Sequence, residues 1–210
     1  CSDKTGTLTR NEMTVTTVAT SAGVVTLTGS GYRPGGHAPT SGRALGEGPA
    51  DELLRNEVLA VVGGGGLASD AVLQEVKGEW TVRGDPTDGA FLVAGAKLGA
   101  TATREARFGR LAEAPFTSAR KLMSTLHADA DRHGLVVLVS KGAPDVLLGR
   151  CTHERAAESV RPLSAARKAE ILESVDWLAD QALRPLAVAY RELPEDEGAR
   201  SVAAPESYEH

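Results

Sequence analysis

Residues 1–14, CSDKTGTLTRNEMT, set an aspartate in a run of lysine, threonine and glycine before any apolar segment begins. An aspartate that attacks a phosphoryl group has to stand exposed at a strand end, with cationic and magnesium help to approach the anion. Asp3 is followed by Lys4, Thr5, Gly6 and Thr7. Gly6 permits a tight turn, and threonine hydroxyls with backbone N–H groups can hold phosphate oxygens. The competing reading is a polar terminal stretch that contains an aspartate by accident. Residue 1 is Cys, so the expectation is a piece of a longer chain that starts at a catalytic residue.

Composition narrows the class of protein. At 210 residues the chain can bury a real core. Its 41% hydrophobic and 24% charged residues are those of an ordinary globular protein. A net charge of −5 argues against a nucleic-acid partner, which calls for a basic stripe. Aromatic residues, at 4%, are too few for a row of base-stacking platforms. No run reaches the roughly 20 apolar residues of a membrane span. Two cysteines, Cys1 and Cys151, make neither a disulfide framework nor a zinc site, so a reducing compartment is the default.

Along the chain, 12–20 alternates in threonine and valine and predicts a strand, paired as a hairpin with VVTLTG at 24–29. Residues 29–50 read as a mobile glycine- and proline-rich loop. DELLRNEVLAVV has helical spacing, but the tetraglycine 63–66 is expected to break it. GEWTVRGDPTDGAFLVAGAKLG predicts a strand, a turn at Gly84–Asp85 and a helix, with Pro86 in its first turn and Asp85 as N-cap. Strands are predicted at 111–116, 121–128 and 134–140, with a turn between the last two. APDVLLGRC reads as a short helix, 164–182 as an amphipathic one, and RPLAVAYREL as a final strand; the tail from 194 reads as frayed. Strands joined by short turns with helices between them give the fold class α/β (α+β), a mainly antiparallel twisted sheet flanked by helices. His37, His127, His133, His153 and His210 are scattered and read as surface residues.

SDKTGTLTRNEMTV closely resembles the phosphorylation signature of the P-type cation-transporting ATPases. That resemblance implies that Asp3 becomes an aspartyl phosphate and that Thr5 lends its carbonyl to Mg²⁺. It also implies an inserted domain that binds ATP, and four further stretches match in the family's order. EAPFTSARKLMS resembles the segment whose phenylalanine stacks on adenine, here Phe116, with Lys121 near the nucleotide. From spacing alone, a lone phenylalanine in a strand is more often core. SKGAPD resembles the K-G-A motif, casting Lys141, Gly142 and Ala143 as nucleotide-binding, with Gly142 leaving room for the ring. GDPTDGA puts Asp88 where the family has glutamate, an acceptor for the adenine amino group with a shorter reach. LRPLAVAY brings Arg184 toward the phosphates and Leu186 against the adenine or its neighbours.

The resemblance covers roughly 1–193. It implies residues 1–14 as the start of a phosphorylation domain, 15–194 as the nucleotide-binding domain and 195–210 as a linker back. The implied partners are ATP and the remaining phosphorylation, actuator and transmembrane domains of a membrane-bound parent, with this domain cytoplasmic. Segment 9–14 and the region past 194 are the hinge candidates. The chain alone is expected to bind nucleotide without turning it over, since it has no G-D-G-x-N-D string. Two departures stand out. Ser118 replaces a frequent arginine, so one phosphate contact is either missing or supplied by Arg120. Pro185 cannot donate to a ladder, so its strand is expected at an edge or bulge. The motif mix, and the lack of the His-Pro pair of the heavy-metal branch, point to calcium first, with manganese, sodium or another cation as runner-up. Two readings stay open beside this one: a haloacid-dehalogenase-type phosphatase, disfavoured by Thr5 where a second Asp is usual, and a non-catalytic regulatory module of the same fold.

Overall fold

The alternating stretch near the start folds as expected, into the hairpin β1 (Thr17–Thr20) and β2 (Gly23–Thr26), with Val18 opposite Val25. The first strand is shorter than its pattern, since 12–16 belong to no element. This computed structural model describes residues 12–29, 31–33, 49–156 and 159–203. The expected phosphorylation motif, and 34–48 of the expected mobile loop, lie outside the described residues, as do His37 and His210. The chain divides into two compact units at Ala102/Thr103.

In the first unit, α1 (Pro49–Leu67) runs straight through the tetraglycine. The expected break does not occur, and the reason is packing. A Cβ on Gly65 would fall inside the ring of Phe91 in α2 (Pro86–Lys97), so the bare backbone lets that ring lie against α1. Each helical glycine costs about 1 kcal/mol. Burying Phe91, Val58 and Val62 contributes about 1.5–3 kcal/mol apiece, which is enough to hold the helix. Val18, Val25 and Leu27 of the hairpin region share one core with Val58, Val62 and Ala94. Glu57 of α1 is buried and accepts from Ser21 Oγ at 2.8 Å and Ala22 N at 2.9 Å, fastening the hairpin turn to the helix.

Between the two helices lies a second hairpin, β3 (Val72–Val76) with β4 (Glu79–Arg83). Sequence periodicity passes over β3 because all of its residues except Leu73 are exposed. Asp85 caps α2 as predicted, accepting from Thr87 N at 2.7 Å, and Pro86 occupies its first turn. Helix α3 (Thr101–Arg107) contains the division between the units.

The second unit is built on one antiparallel sheet. Its first strands are β5 (Phe108–Ala114), β6 (Leu122–Asp129) and β7 (Leu135–Gly142). After β7 come α4 (Pro144–Arg150), the small hairpin β8 (His153–Ala156) and β9 (Ser159–Pro162), and α5 (Ala165–Asp180) capped by Ser164. The strand β10 (Ala187–Pro194) closes the order β10-β7-β6-β5. The edge position expected from Pro185 is found: among the described residues β10 pairs only with β7, and Pro185 precedes its ladder. The tail is not frayed where it is described. Residues 195–203 form α6 (Glu195–Ala203), which packs on β7 and β10, with Ser201 fully buried and Arg191 bonded to Glu197 at 2.6 Å.

The interior strand β6 is buried from Leu122 through His127 without alternation. This corrects the reading of His127 as a surface residue, for it is only 2% exposed; His133 and His153 are exposed as expected. Its Nε2 lies 2.9 Å from Thr125 Oγ1. Burial, with Arg110 and Arg104 nearby, lowers its pKa from 6.5 to about 4.

This packing sets the expected response to two glycine substitutions and to pH. Gly63 has open space around it, so Gly63→Ala should stabilise by about 0.5–1 kcal/mol, whereas Gly65→Ala should destabilise by about 1–3 kcal/mol in urea unfolding. Stability should also fall by about 2 kcal/mol from pH 7 to pH 5, because below pH 6.5 the unfolded chain takes up a proton that folded His127 refuses until pH 4. In His127→Gln that part of the slope should vanish.

Candidate functional site

One end of the sheet gathers most of the residues singled out by the motifs. Gly142, the last residue of β7, is paired on one side with Leu122, the first of β6, and on the other with Ala187, the first of β10. The last residue of β5, Ala114, is opposite Ser124. Antiparallel pairing therefore brings the loops 115–121, 143 and 183–186 out at the same edge of the sheet. Those loops carry Phe116, Lys121, Ala143, Arg184 and Leu186, with Lys141 and Gly142 ending β7 beside them.

Phe116 is 56% exposed, so the core reading of a lone phenylalanine does not hold here. A large aromatic ring left in water is what a stacking surface requires. Lys121 and Arg184 are exposed, and Leu186 and Ala143 are half-buried. Lys141 stands in register between Met123 and Val188 and is buried.

A sharp turn controls the approach to β6. Thr117 O accepts from Lys121 N at 2.7 Å, and Lys121 has a left-handed backbone with φ of 57°. The Lys121 carbonyl then turns toward β7 and accepts from Ala143 N at 3.0 Å. A Cβ on Gly142 would collide with that same carbonyl oxygen and with Leu122. The missing Cβ of Gly142 thus makes room for that backbone. Ala143 starts α4 without a side-chain cap bond.

Asp88 belongs to the first unit. It lies in the first turn of α2, is buried, and its Oδ2 accepts from Asp70 N at 3.0 Å, so one carboxylate oxygen fastens the loop before β3. Asp85 is the N-cap of α2, as its sequence context predicts. Asp3 and Thr5 lie outside the described residues. Among the described residues, no three His, Cys, Asp or Glu side chains come together in a way that could hold a metal ion.

Motif reading missed the groups that brace this end. Arg120 Nη1 donates to Pro115 O at 2.7 Å and Nη2 to Ser124 Oγ at 3.4 Å, while Ser124 Oγ and Ser140 Oγ are 2.8 Å apart. The signal was a threonine three residues before an arginine, Thr117 and Arg120, which predicts a side-chain-to-backbone turn; Arg120 N donates to Thr117 Oγ1 at 3.2 Å.

Comparison with known proteins gives a consistent set of matches. The family model described as P-type ATPase, cytoplasmic domain N, matches residues 57–210. The chain is similar to a calcium-transporting ATPase of Bacillus subtilis (strain 168), with 36% identity over 194 residues, covering 92% of this chain and 21% of the relative. It is similar to a probable cation-transporting ATPase F of Mycobacterium tuberculosis (strain ATCC 25618 / H37Rv), with 38% identity over 189 residues, 89% of this chain and 20% of the relative. A calcium-transporting ATPase type 2C member 1 of Bos taurus is 32% identical over 193 residues, 90% of this chain and 19% of the relative. The chain spans about a fifth of the length of these curated relatives.

The tight approach at Gly142 is open to test. Gly142→Ala should lose about 2–3 kcal/mol in urea unfolding, because neither the Lys121 carbonyl nor Leu122 can give way. Gly149→Ala, in α4 with open space around it, should be neutral or stabilising by up to about 1 kcal/mol.

Proposed function

The chain belongs to the P-type cation-transporting ATPases, as their cytoplasmic domain N, and on that premise we propose that its sheet end binds ATP and delivers the γ-phosphate to Asp3. The observation that carries the reading is the exposed Phe116 ring at the sheet end where Lys121 and Arg184 also emerge, with buried Lys141 near the end of β7. Adenine stacks on the ring, worth about 1–3 kcal/mol. The cationic groups favour the anionic end of the nucleotide, and the Arg184 fork suits paired phosphate oxygens. Gly142, Ala143 and Leu186 shape the floor.

In the whole enzyme ATP then bridges two domains. Domain N, 15–194, grips adenine and swings on segments near 9–14 and past 194 until the γ-phosphate meets Asp3, so that binding energy brings the reacting group into place. An Asp3 carboxylate oxygen bonds to the γ-phosphorus as the bond to the β,γ-bridging oxygen breaks, and ADP leaves with that electron pair. Asp3 and the Thr5 carbonyl would hold Mg²⁺, which would supply charge neutralisation for the phosphoryl group. The parent couples this to moving a cation across a membrane. Calcium is the first candidate, since relatives bear the name calcium-transporting ATPase.

The chain by itself is expected to bind ATP at roughly 0.1–1 mM, about −4 to −5.5 kcal/mol, and to release no phosphate. A ¹⁵N NMR titration with ATP, ADP and GTP should give saturable shifts around Phe116, Lys141 and Arg184, larger for adenine than for guanine nucleotides and weakened about tenfold or more in Phe116→Ala. Absence of shifts at several millimolar would count against ATP binding and bring the regulatory-module reading forward.

A further inference from the structure

Phe116 sits in a stretch, 115–117, that belongs to no strand or helix, two residues past the last ladder pair Ala114↔Ser124. An apolar ring with 56% exposure gains by folding back onto the protein, so something has to hold it out. Two ties flank it. On its C-terminal side, Thr117 O accepts from Lys121 N at 2.7 Å, and Thr117 Oγ1 accepts from Arg120 N at 3.2 Å. On its N-terminal side, the Arg120 guanidinium grips the Pro115 carbonyl at 2.7 Å. The same guanidinium reaches Ser124 Oγ at 3.4 Å, and Ser124 is joined across the strands to Ser140 at 2.8 Å.

Ladder register places this clip. Ser124 is opposite Ser140, whereas Met123 is opposite Lys141, and successive residues of a strand face opposite sides. A guanidinium bonded to Ser124 therefore lies on the face away from Lys141. A charged donor to a carbonyl is also among the stronger hydrogen bonds.

We propose that Arg120 is a positioning residue for nucleotide recognition: anchored on the Ser124–Ser140 pair, it clips the Pro115 carbonyl and so holds the Phe116 ring out as an adenine platform. It does not serve as the phosphate ligand that Ser118 is too short to be. This rests on the reading of Phe116 as the adenine-stacking residue.

Affinities for adenosine and for ATP separate the roles, because adenosine carries no phosphate. They would be measured on the wild-type chain, Arg120→Ala, Ser124→Ala, Phe116→Ala and the Phe116→Ala/Arg120→Ala double variant. Arg120→Ala should weaken both ligands by the same factor, about tenfold, with a smaller common loss in Ser124→Ala. The double variant should bind no more weakly than Phe116→Ala alone, since the clip acts only through the ring. Weaker ATP with unchanged adenosine would make Arg120 a phosphate ligand and overturn the proposal, and so would losses that multiply in the double variant.

A ligand-free readout keeps the two readings apart. In Arg120→Ala, amide exchange at Lys121, whose N–H is bonded to Thr117 O, should speed up by about tenfold or more while the interiors of β6 and β7 keep their protection. Unchanged exchange there would refute the clip even if nucleotide binds. Failure of the wild-type chain to bind adenosine would instead defeat the nucleotide reading, and the platform role with it.

Discussion

The contact on which the candidate site depends is between backbone atoms, where the Lys121 carbonyl meets Ala143 N–H in the space left by Gly142. It locks the start of β6 to the end of β7, and β7 in turn aligns β10 through the pair Gly142↔Ala187. A slip of one residue in either ladder would turn every side chain to the other face. It would bury what is now exposed at the sheet end and carry Lys141 away from the neighbours of Phe116. One glycine without a Cβ thus secures the register that lets separate loops meet.

The far end of the same sheet is pinned in another way. Asp129, with no exposed side chain, accepts from Arg107 Nε and Nη2 at 2.8 Å each and from Arg132 Nε at 2.8 Å. Arg132 also reaches Glu192 of β10 at 2.8 Å, and Arg107 lies 4.9 Å over the Phe108 ring. The Arg107 hydrogen bond, with that of Arg132, holds the Asp129 carboxyl well below the usual carboxylate range despite its burial. Here cations and carboxylates of the unit answer one another across the sheet. At the other end Lys121 and Arg184 are exposed.

Much of this was legible locally. The hairpin of valines and threonines, the Asp85-Pro86 start of α2, the three sheet strands before α4 and the edge placement implied by Pro185 all rest on effects within a few residues. Motifs in family order also pointed to one site, and most of the side chains involved need only the antiparallel ladder to meet. What escaped were the elements whose character is set by distant partners. An exposed β3 shows no apolar period, and α6 owes its order to packing on the sheet and to the Arg191–Glu197 bond, which a polar sequence hides.

By itself, then, the sequence determined the family and the order of most strands and helices, because these follow from short-range pattern and motif spacing. Tertiary structure alone decided that α1 continues through four glycines, since Phe91 from α2 fills the space that the bare backbone at Gly65 leaves. It alone made His127 a buried, neutral residue on an interior strand. And it alone joined Arg120 to Pro115 and Ser124, because a guanidinium commits to whichever oxygens the fold brings within reach.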